Sequence, residues 1–228
     1  MPLLAVVIPA LDAAATLPAT LAALAPGRDA GLVGELVVVD GGSADATRRI
    51  AAEQGARVIC APRGRGPQLA AGVAETTLPW LLLLHADTRL AAGWSDAVAD
   101  WIGRADSTGR AAHFRFALDD DTAAARRLER IVAWRCRVLA LPYGDQGLVI
   151  ARAHLARVGG VRPLVLMEDV DLVRRIGRAN IAALSIDAVT SAARWRRDGY
   201  LRRSARNLAC LALWRLGVDP AAIRRLYG

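Results

Sequence analysis

The sequence predicts an α/β protein: a mostly parallel sheet flanked by helices, with a helical C-terminal tail. Two observations predict it. Through the first half, runs rich in Val, Leu and Ile alternate with alanine-rich segments of helical character, the pattern of strands covered on both faces by helices. Several of those runs also end in, or are soon followed by, an acidic residue, and in such sheets ligands sit beyond the carboxyl ends of the strands.

Taken in order, strands are expected at residues 3–9, 35–39, 57–61 and 79–85, and helices at 15–25, 45–54, 67–75 and 93–103. The opening apolar run lacks a basic leader and is short before Asp12, so it reads as a first strand and not as a signal peptide. Beyond residue 103 the pattern loosens. A strand is expected at 111–118, a turn at Asp119-Asp120-Asp121, and an arginine-studded amphipathic helix over 122–141. A loop at 142–147, a short strand at 148–151, a helix opening near Met167-Glu168-Asp169 and a strand at 181–186 follow. The tail reads as helical and arginine-rich, ending Arg224-Arg225-Leu226-Tyr227-Gly228. No linker or repeat divides the 228 residues, so a single domain in two parts is expected, 1–118 and 119–228.

Composition removes several chemistries. All 30 residues counted as Lys+Arg are arginine, which excludes Schiff-base aldolases, pyridoxal enzymes and the P-loop lysine. Any phosphate must therefore be held by arginine, backbone amides or a metal. The net charge of +8 favours anionic partners without choosing among them. Three cysteines with no C-x-x-C pair support neither a disulfide framework nor a zinc site, and fit a reducing cytoplasm. The apolar stretch 78–84 falls short of the roughly 20 residues of a membrane span.

Three acids gather at the expected strand ends: Asp12, Asp40 and Asp87. Carboxylates on one rim repel each other unless a cation or hydrogen-bond donors compensate, so a cation shared with a phosphate is a natural inference. Asp12 reads equally as a cap of the following helix, and Asp45 as the cap of the next. The turn after the first strand, Pro9-Ala10-Leu11-Asp12-Ala13, contains no glycine, which argues against a dinucleotide fold of the G-x-G-x-x-G type.

Four strings, in order, resemble family 2 glycosyltransferases of the GT-A fold, a Rossmann-like architecture. Ile8-Pro9-Ala10-Leu11-Asp12-Ala13 is similar to the family's opening I-P-x-L-N-E, and Val39-Asp40-Gly41-Gly42-Ser43-Ala44-Asp45 to its V-D-x-x-S-x-D. His85-Ala86-Asp87 stands at the family's D-x-D and Glu168-Asp169 at its E-D pair. Leu84-His85-Ala86-Asp87-Thr88-Arg89, Tyr143-Gly144-Asp145-Gln146-Gly147 and Leu166-Met167-Glu168-Asp169-Val170 further resemble a small bacterial subgroup labelled arsenosugar-biosynthesis glycosyltransferases.

The resemblance implies an inverting transferase that moves a sugar from a nucleotide-diphosphate donor to an acceptor hydroxyl. Residues 1–118 would be its nucleotide-sugar half and 119–228 its acceptor half. Pro9, Leu11, Asp12, Asp40, Arg65, Gln68, His85, Ala86 and Asp87 are the candidate donor-binding residues. Asp87 with His85 would hold a divalent cation, Mg²⁺ or Mn²⁺; the imidazole removes one negative charge from the family's pair. Asp169 is the candidate base, with Glu168 beside it expected to raise its proton affinity by repulsion. The alternative for both acids is a favourable interaction with the helix dipole. Asp145, Gln146, Arg194 and Trp195 are candidates for contacting acceptor or diphosphate, the indole by stacking on a sugar.

Six arginines between Arg194 and Arg206 precede an apolar stretch. They suggest peripheral contact of the C-terminal helices with the inner face of a membrane, suiting a lipid-linked acceptor, against the alternative that this stretch packs on its own domain. Two competing readings stay open. One is a catalytically idle nucleotide-sugar binder, with His85 and Ala13 marking lost chemistry. The other is a basic nucleic-acid-binding domain. Aromatics are only 5% and none is interleaved along a basic strand, so no nucleic acid is expected.

Overall fold

The computed structural model describes residues 1–220 and 222–223. Eight strands form one sheet: β1 (Leu4–Ala10), β2 (Val33–Asp40), β3 (Arg57–Cys60), β4 (Trp80–Leu83), β5 (Thr88–Leu90), β6 (Ala111–Leu118), β7 (Leu148–Ala151) and β8 (Ile181–Thr190). Their spatial order is β3-β2-β1-β4-β7-β6-β8-β5. The pairings β1–β2, β1–β4, β2–β3 and β6–β8 are parallel, whereas β4–β7, β6–β7 and β5–β8 are antiparallel. Six strands thus point one way and β5 and β7 the other, a mostly parallel sheet with two reversals.

The helices are α1 (Leu17–Ala23), α2 (Ala25–Asp29), α3 (Thr47–Glu53), α4 (Arg65–Ala74), α5 (Trp94–Gly103), α6 (Ala123–Leu139), α7 (Arg152–Arg157), α8 (Glu168–Ile176), α9 (Ala193–Asp198) and α10 (Tyr200–Arg215). Alternate residues of the central strands supply two cores, because successive side chains of a strand leave opposite faces. On one face Leu4, Val6 and Ile8 meet Leu17, Leu21, Leu24 and Trp94. On the other Ala5, Val7, Val37 and Val39 meet Leu69 and Leu172. β1 is buried along its whole length, which explains why its sequence is continuously apolar.

Several expectations are corrected. The helix expected at 15–25 is two helices, α1 and α2, with Pro26 in the first turn of the second. The fourth strand stops at Leu83, and residues 84–87 turn into the short β5, which no periodicity marked. α7 has only six residues, too few to show a helical period. β8 runs on to Thr190, because its far half pairs with β6 and β5. The tail is broken at Gly199, whose φ of 81° is left-handed, so α9 and α10 are separate. The expected end of the tail, 224–228, lies outside the described residues.

The reversal at β7 is what positions the site. Leu83 at the end of β4 pairs with Leu148 at the start of β7, so the loop entering β7 arrives at the rim where β1, β2 and β4 end. The carboxyl ends of β6 and β8 lie on the same rim, since both run parallel to β4.

Glycine lets α4 lie close beneath. A Cβ on Gly72 would stand 2.3 Å from Val7 Cγ1 and 2.8 Å from Val39 Cγ2. Gly72→Ala is therefore expected to lower stability by about 1–3 kcal/mol through overpacking, read from urea unfolding; an unchanged midpoint would contradict this packing.

Candidate functional site

The loops after β1 and β2 are laced together. Asp12, at a left-handed φ of 47° that aspartate tolerates better than most residues, donates its amide to Ser43 Oγ at 2.9 Å. Its carboxylate accepts the Ala44 amide at 2.9 Å, so Asp12 ties two loops and does not cap α1. Asp40 is fully buried, and its carboxylate accepts the amides of Gly42 and Ser43 at 3.1–3.2 Å with Arg48 at 3.8 Å. Asp45 accepts the Thr47 amide at 2.9 Å, at the start of α3, and the Ala14 amide across the gap. Pro9 and Ala86 are buried and shape the rim from beneath, while Leu11 is half-buried.

Gln68 takes a different part from the donor contact expected of it. It is buried, and its amide group donates to Ala10 O at 2.8 Å and Val39 O at 2.7 Å. With both hydrogens spent on the last carbonyls of β1 and β2, it clamps the strand ends together.

The centre of the site lies after β4. His85 is half-buried, with its Nε2 3.5 Å from Arg65 Nη1. Burial first, then the guanidinium groups of Arg65 and Arg194, holds its pKa well below the ordinary value, so the imidazole is neutral and accepts from Arg65. The loop entering β7 lies directly against it. A Cβ on Gly144 would fall 2.5 Å from His85 Nε2 and 3.4 Å from Asp169 Oδ2, and the Gly144 amide donates to Asp169 Oδ2 at 2.7 Å. His85 and Asp169 thus flank one backbone position. They line one cavity with Tyr143 and Glu168, and Asp169 also borders a second cavity edged by Arg65, Met167 and Asn207.

The acidic pair is presented by a strained turn. Met167, immediately before α8, has a φ of 66°, a left-handed backbone costing a non-glycine residue roughly 1–2 kcal/mol. The approach to it is held by Gly66, where a Cβ would lie 2.3 Å from Leu164 O. Asp171 anchors the same segment through Arg162 at 3.0 Å and Arg175 at 2.7 Å.

Glu168 is 2% exposed and 3.7 Å from Arg65 Nε. Burial, reinforced by Asp169 and opposed by Arg65, pushes its pKa up to about 7. Glu168 is raised chiefly because it is the buried member of the pair. Asp145 is also raised, to about 6, by burial and by Asp169 and Asp87, with Arg135 and Arg65 opposing. Its Oδ1 is buried without a hydrogen-bond partner.

Two expected contacts are corrected. Gln146 is 1% exposed; its Oε1 receives the Tyr143 amide at 3.2 Å and Arg135 Nη2 at 3.3 Å, and its Nε2 donates to Phe114 O at 3.1 Å. It holds the loop from within and does not face an acceptor. Trp195 is buried among Phe116, Leu118, Leu128 and Val132 and stacks on Tyr200 at 5.8 Å, so its indole is core and not a sugar platform. Arg194, beside it, is exposed and near enough to act on His85. Sequence reasoning missed the parts played by Gly144, Gly66 and Arg135. The glycines were visible, but close backbone approach leaves no trace in composition.

A divalent cation fits this pocket in part. The Asp87 carboxylate is half-buried and makes no hydrogen bond or ion pair among the described residues, and it faces the raised Asp145. No group of three His, Cys, Asp or Glu side chains among the described residues is arranged to hold a metal. Asp87 and the neutral His85 would supply the protein's ligands, with phosphate oxygens completing the shell.

The fold is that of the GT-A architecture, and comparison agrees. Residues 5–131 match the model of glycosyl transferase family 2, and the chain belongs to that family. It is 40% identical over 89 residues to uncharacterized glycosyltransferases of Mycobacterium tuberculosis and Mycobacterium bovis. That match covers 39% of this chain and only 38% of theirs. Among solved structures it is similar to glucosyl-3-phosphoglycerate synthase from M. tuberculosis in complex with Mn²⁺, UDP and glucosyl-3-phosphoglycerate, at TM-score 0.63 and 23% identity over 96% of this chain and 81% of that one. The same synthase without those ligands in its description gives TM-score 0.62 at 24% identity, over 96% and 82%. At this identity the likeness shows the fold.

The raised Glu168 has a measurable consequence. An unfolded glutamate titrates near 4.5 and the folded group near 7. Between those values the native state keeps a proton that the unfolded chain has released, so the group's contribution to stability falls as pH rises. Wild type is expected to lose stability relative to Glu168→Gln across this window, by about 1.4 kcal/mol per pH unit. The depressed histidines act in the opposite direction but cancel in the difference. Urea midpoints of the two proteins from pH 4.5 to 7.5 provide the check, and parallel curves would refute it.

Proposed function

We propose that the protein transfers a sugar from a nucleotide-diphosphate donor to an acceptor hydroxyl with inversion at the anomeric carbon, Asp169 acting as base. The observation that carries this reading is the cavity lined by both His85 and Asp169, which meet across Gly144. Direct displacement needs one base opposite the leaving diphosphate and cationic groups around it; Asp169 lies against Gly144 together with His85, which Arg65 approaches at 3.5 Å.

The residues divide the work. The Asp169 carboxylate is aimed by the Gly144 and Val170 amides, each at 2.7 Å, and takes the acceptor's proton. Glu168, whose pKa burial raises to about 7, puts less negative charge beside it than an ordinary glutamate would. Arg65 and Arg194 both act on His85 and are suited to the diphosphate, the task that falls to arginine in a chain without lysine. Asp12, on the loop after β1, and Asp40, at the end of β2, border the place of the nucleoside. A cation held by Asp87 and His85 would neutralise charge on the departing diphosphate. The solved neighbours named with Mn²⁺, UDP and UDP-glucose support a uridine donor and this ion. The acceptor is a hydroxyl compound reached through the loop carrying Asp145; phosphoglycerate, named with a neighbour, is one chemistry to try.

Removal of the base is expected to lower kcat by about 10²–10⁴ in Asp169→Asn while leaving donor affinity within a few-fold. The check is donor turnover together with nucleotide titration of the same variant; full turnover would exclude Asp169 as base. A thermal-shift comparison of UDP, GDP and dTDP, each with and without Mn²⁺, is expected to show one diphosphate stabilising the protein more with the ion than without it. Equal shifts with and without Mn²⁺ would remove the cation from the mechanism.

A further inference from the structure

We infer that the outward faces of α6 and α10 form a docking surface for an anionic lipid bilayer. α6 carries five arginines and one acid, Glu129, which is held by Arg126 at 2.7 Å. Its solvent face presents Ile131 and Trp134, 56% and 52% exposed, in a shallow basin edged by Arg127 and Arg130. No carboxylate pairs with Arg127, Arg130 or Arg137 among the described residues. α10 contains four arginines and no acid. Leu201, Leu208 and Leu216 on it are 81%, 64% and 80% exposed, at the spacing of one helical face. The two helices contact each other.

This combination selects the occupant. On α10 Arg203 and Arg206 are held by Asp198, so the cationic part of the surface is Arg127, Arg130 and Arg137 of α6; large apolar side chains left in water beside them suit the headgroup boundary of an anionic bilayer, where leucine and tryptophan enter the acyl edge and arginine meets lipid phosphate. A second copy of the chain is disfavoured, because a two-fold interface would set this arginine face against itself. No helix among the described residues is long and apolar enough to cross a membrane, so the contact is interfacial. α6 also reaches the catalytic loop: Arg135 lies 3.5 Å over the Tyr143 ring and donates to Leu141 O at 2.9 Å and Gln146 Oε1 at 3.3 Å. Docking would hold a helix that directly braces the site. The inference does not depend on which donor the site takes.

The test is co-sedimentation with vesicles of phosphatidylcholine alone or mixed with phosphatidylglycerol. Wild type is expected to bind the mixed vesicles, with affinity falling at least about tenfold between roughly 0.05 and 0.5 M salt, and to leave the neutral ones in solution. Three variants separate the contributions: Ile131→Ser with Trp134→Ser on α6, Leu208→Ser with Leu216→Ser on α10, and Arg127→Gln with Arg130→Gln and Arg137→Gln. Each is expected to weaken binding at least about tenfold while circular dichroism, melting temperature and nucleotide shift stay at wild-type values. Absence of binding to mixed vesicles, undiminished binding by all three folded variants, or a dimer in sedimentation velocity that these substitutions dissolve would overturn the proposal.

Discussion

Everything in the site depends on the antiparallel entry of β7 beside β4. A purely parallel sheet would put only strand ends on the rim. Reversing one strand brings the loop that precedes it to the same place, and here that loop lays Gly144 between His85 and Asp169. The approach is so close that no side chain fits, and the Gly144 amide becomes the donor that aims Asp169. The loop is in turn held from inside by Gln146 and from above by Arg135. Site geometry is thus a backbone property, set by sheet topology and by small or buried residues that never touch a ligand.

Electrostatics on this rim follow from an unusual inventory. Four carboxyl groups, Asp87, Asp145, Glu168 and Asp169, share a small region with the neutral His85 and the guanidinium groups of Arg65, Arg135 and Arg194. Burial decides which of the acids yields. Glu168 and Asp145 hold their protons to higher pH than ordinary carboxyl groups, to about 7 and about 6, which lessens repulsion on the acid side of neutrality. The strained Met167 turn is tolerated because Leu166, Val170 and Cys210 pack around it.

The outer surface follows a different logic from the rim. α6 packs Leu128 and Val132 inward with Trp195, yet its opposite face is both apolar and cationic. One helix therefore joins the core, the loop carrying Tyr143 and Gln146, and an exposed basic surface.

Sequence alone determined the alternation of β1, β2, β3 and β4 with helices, the acids at or beyond their ends, and the family, but not the split of α1 from α2 or the short β5. The legible features are local: β1 is apolar because both of its faces are covered, Asp40 ends β2, and Asp12 and Asp87 follow β1 and β4. It did not determine what those side chains do once neighbours arrive. Trp195 and Gln146 sit in motifs that suggest ligands, yet tertiary packing drew both inside, where an indole and a saturated amide contribute more to the core than to a solvent-facing rim. Gln68 was claimed by two strand-end carbonyls, and burial raised the proton affinity of Glu168. Only the assembled structure decides such matters, because burial and hydrogen-bond partners come from residues distant in the chain, and a motif read along it records neither.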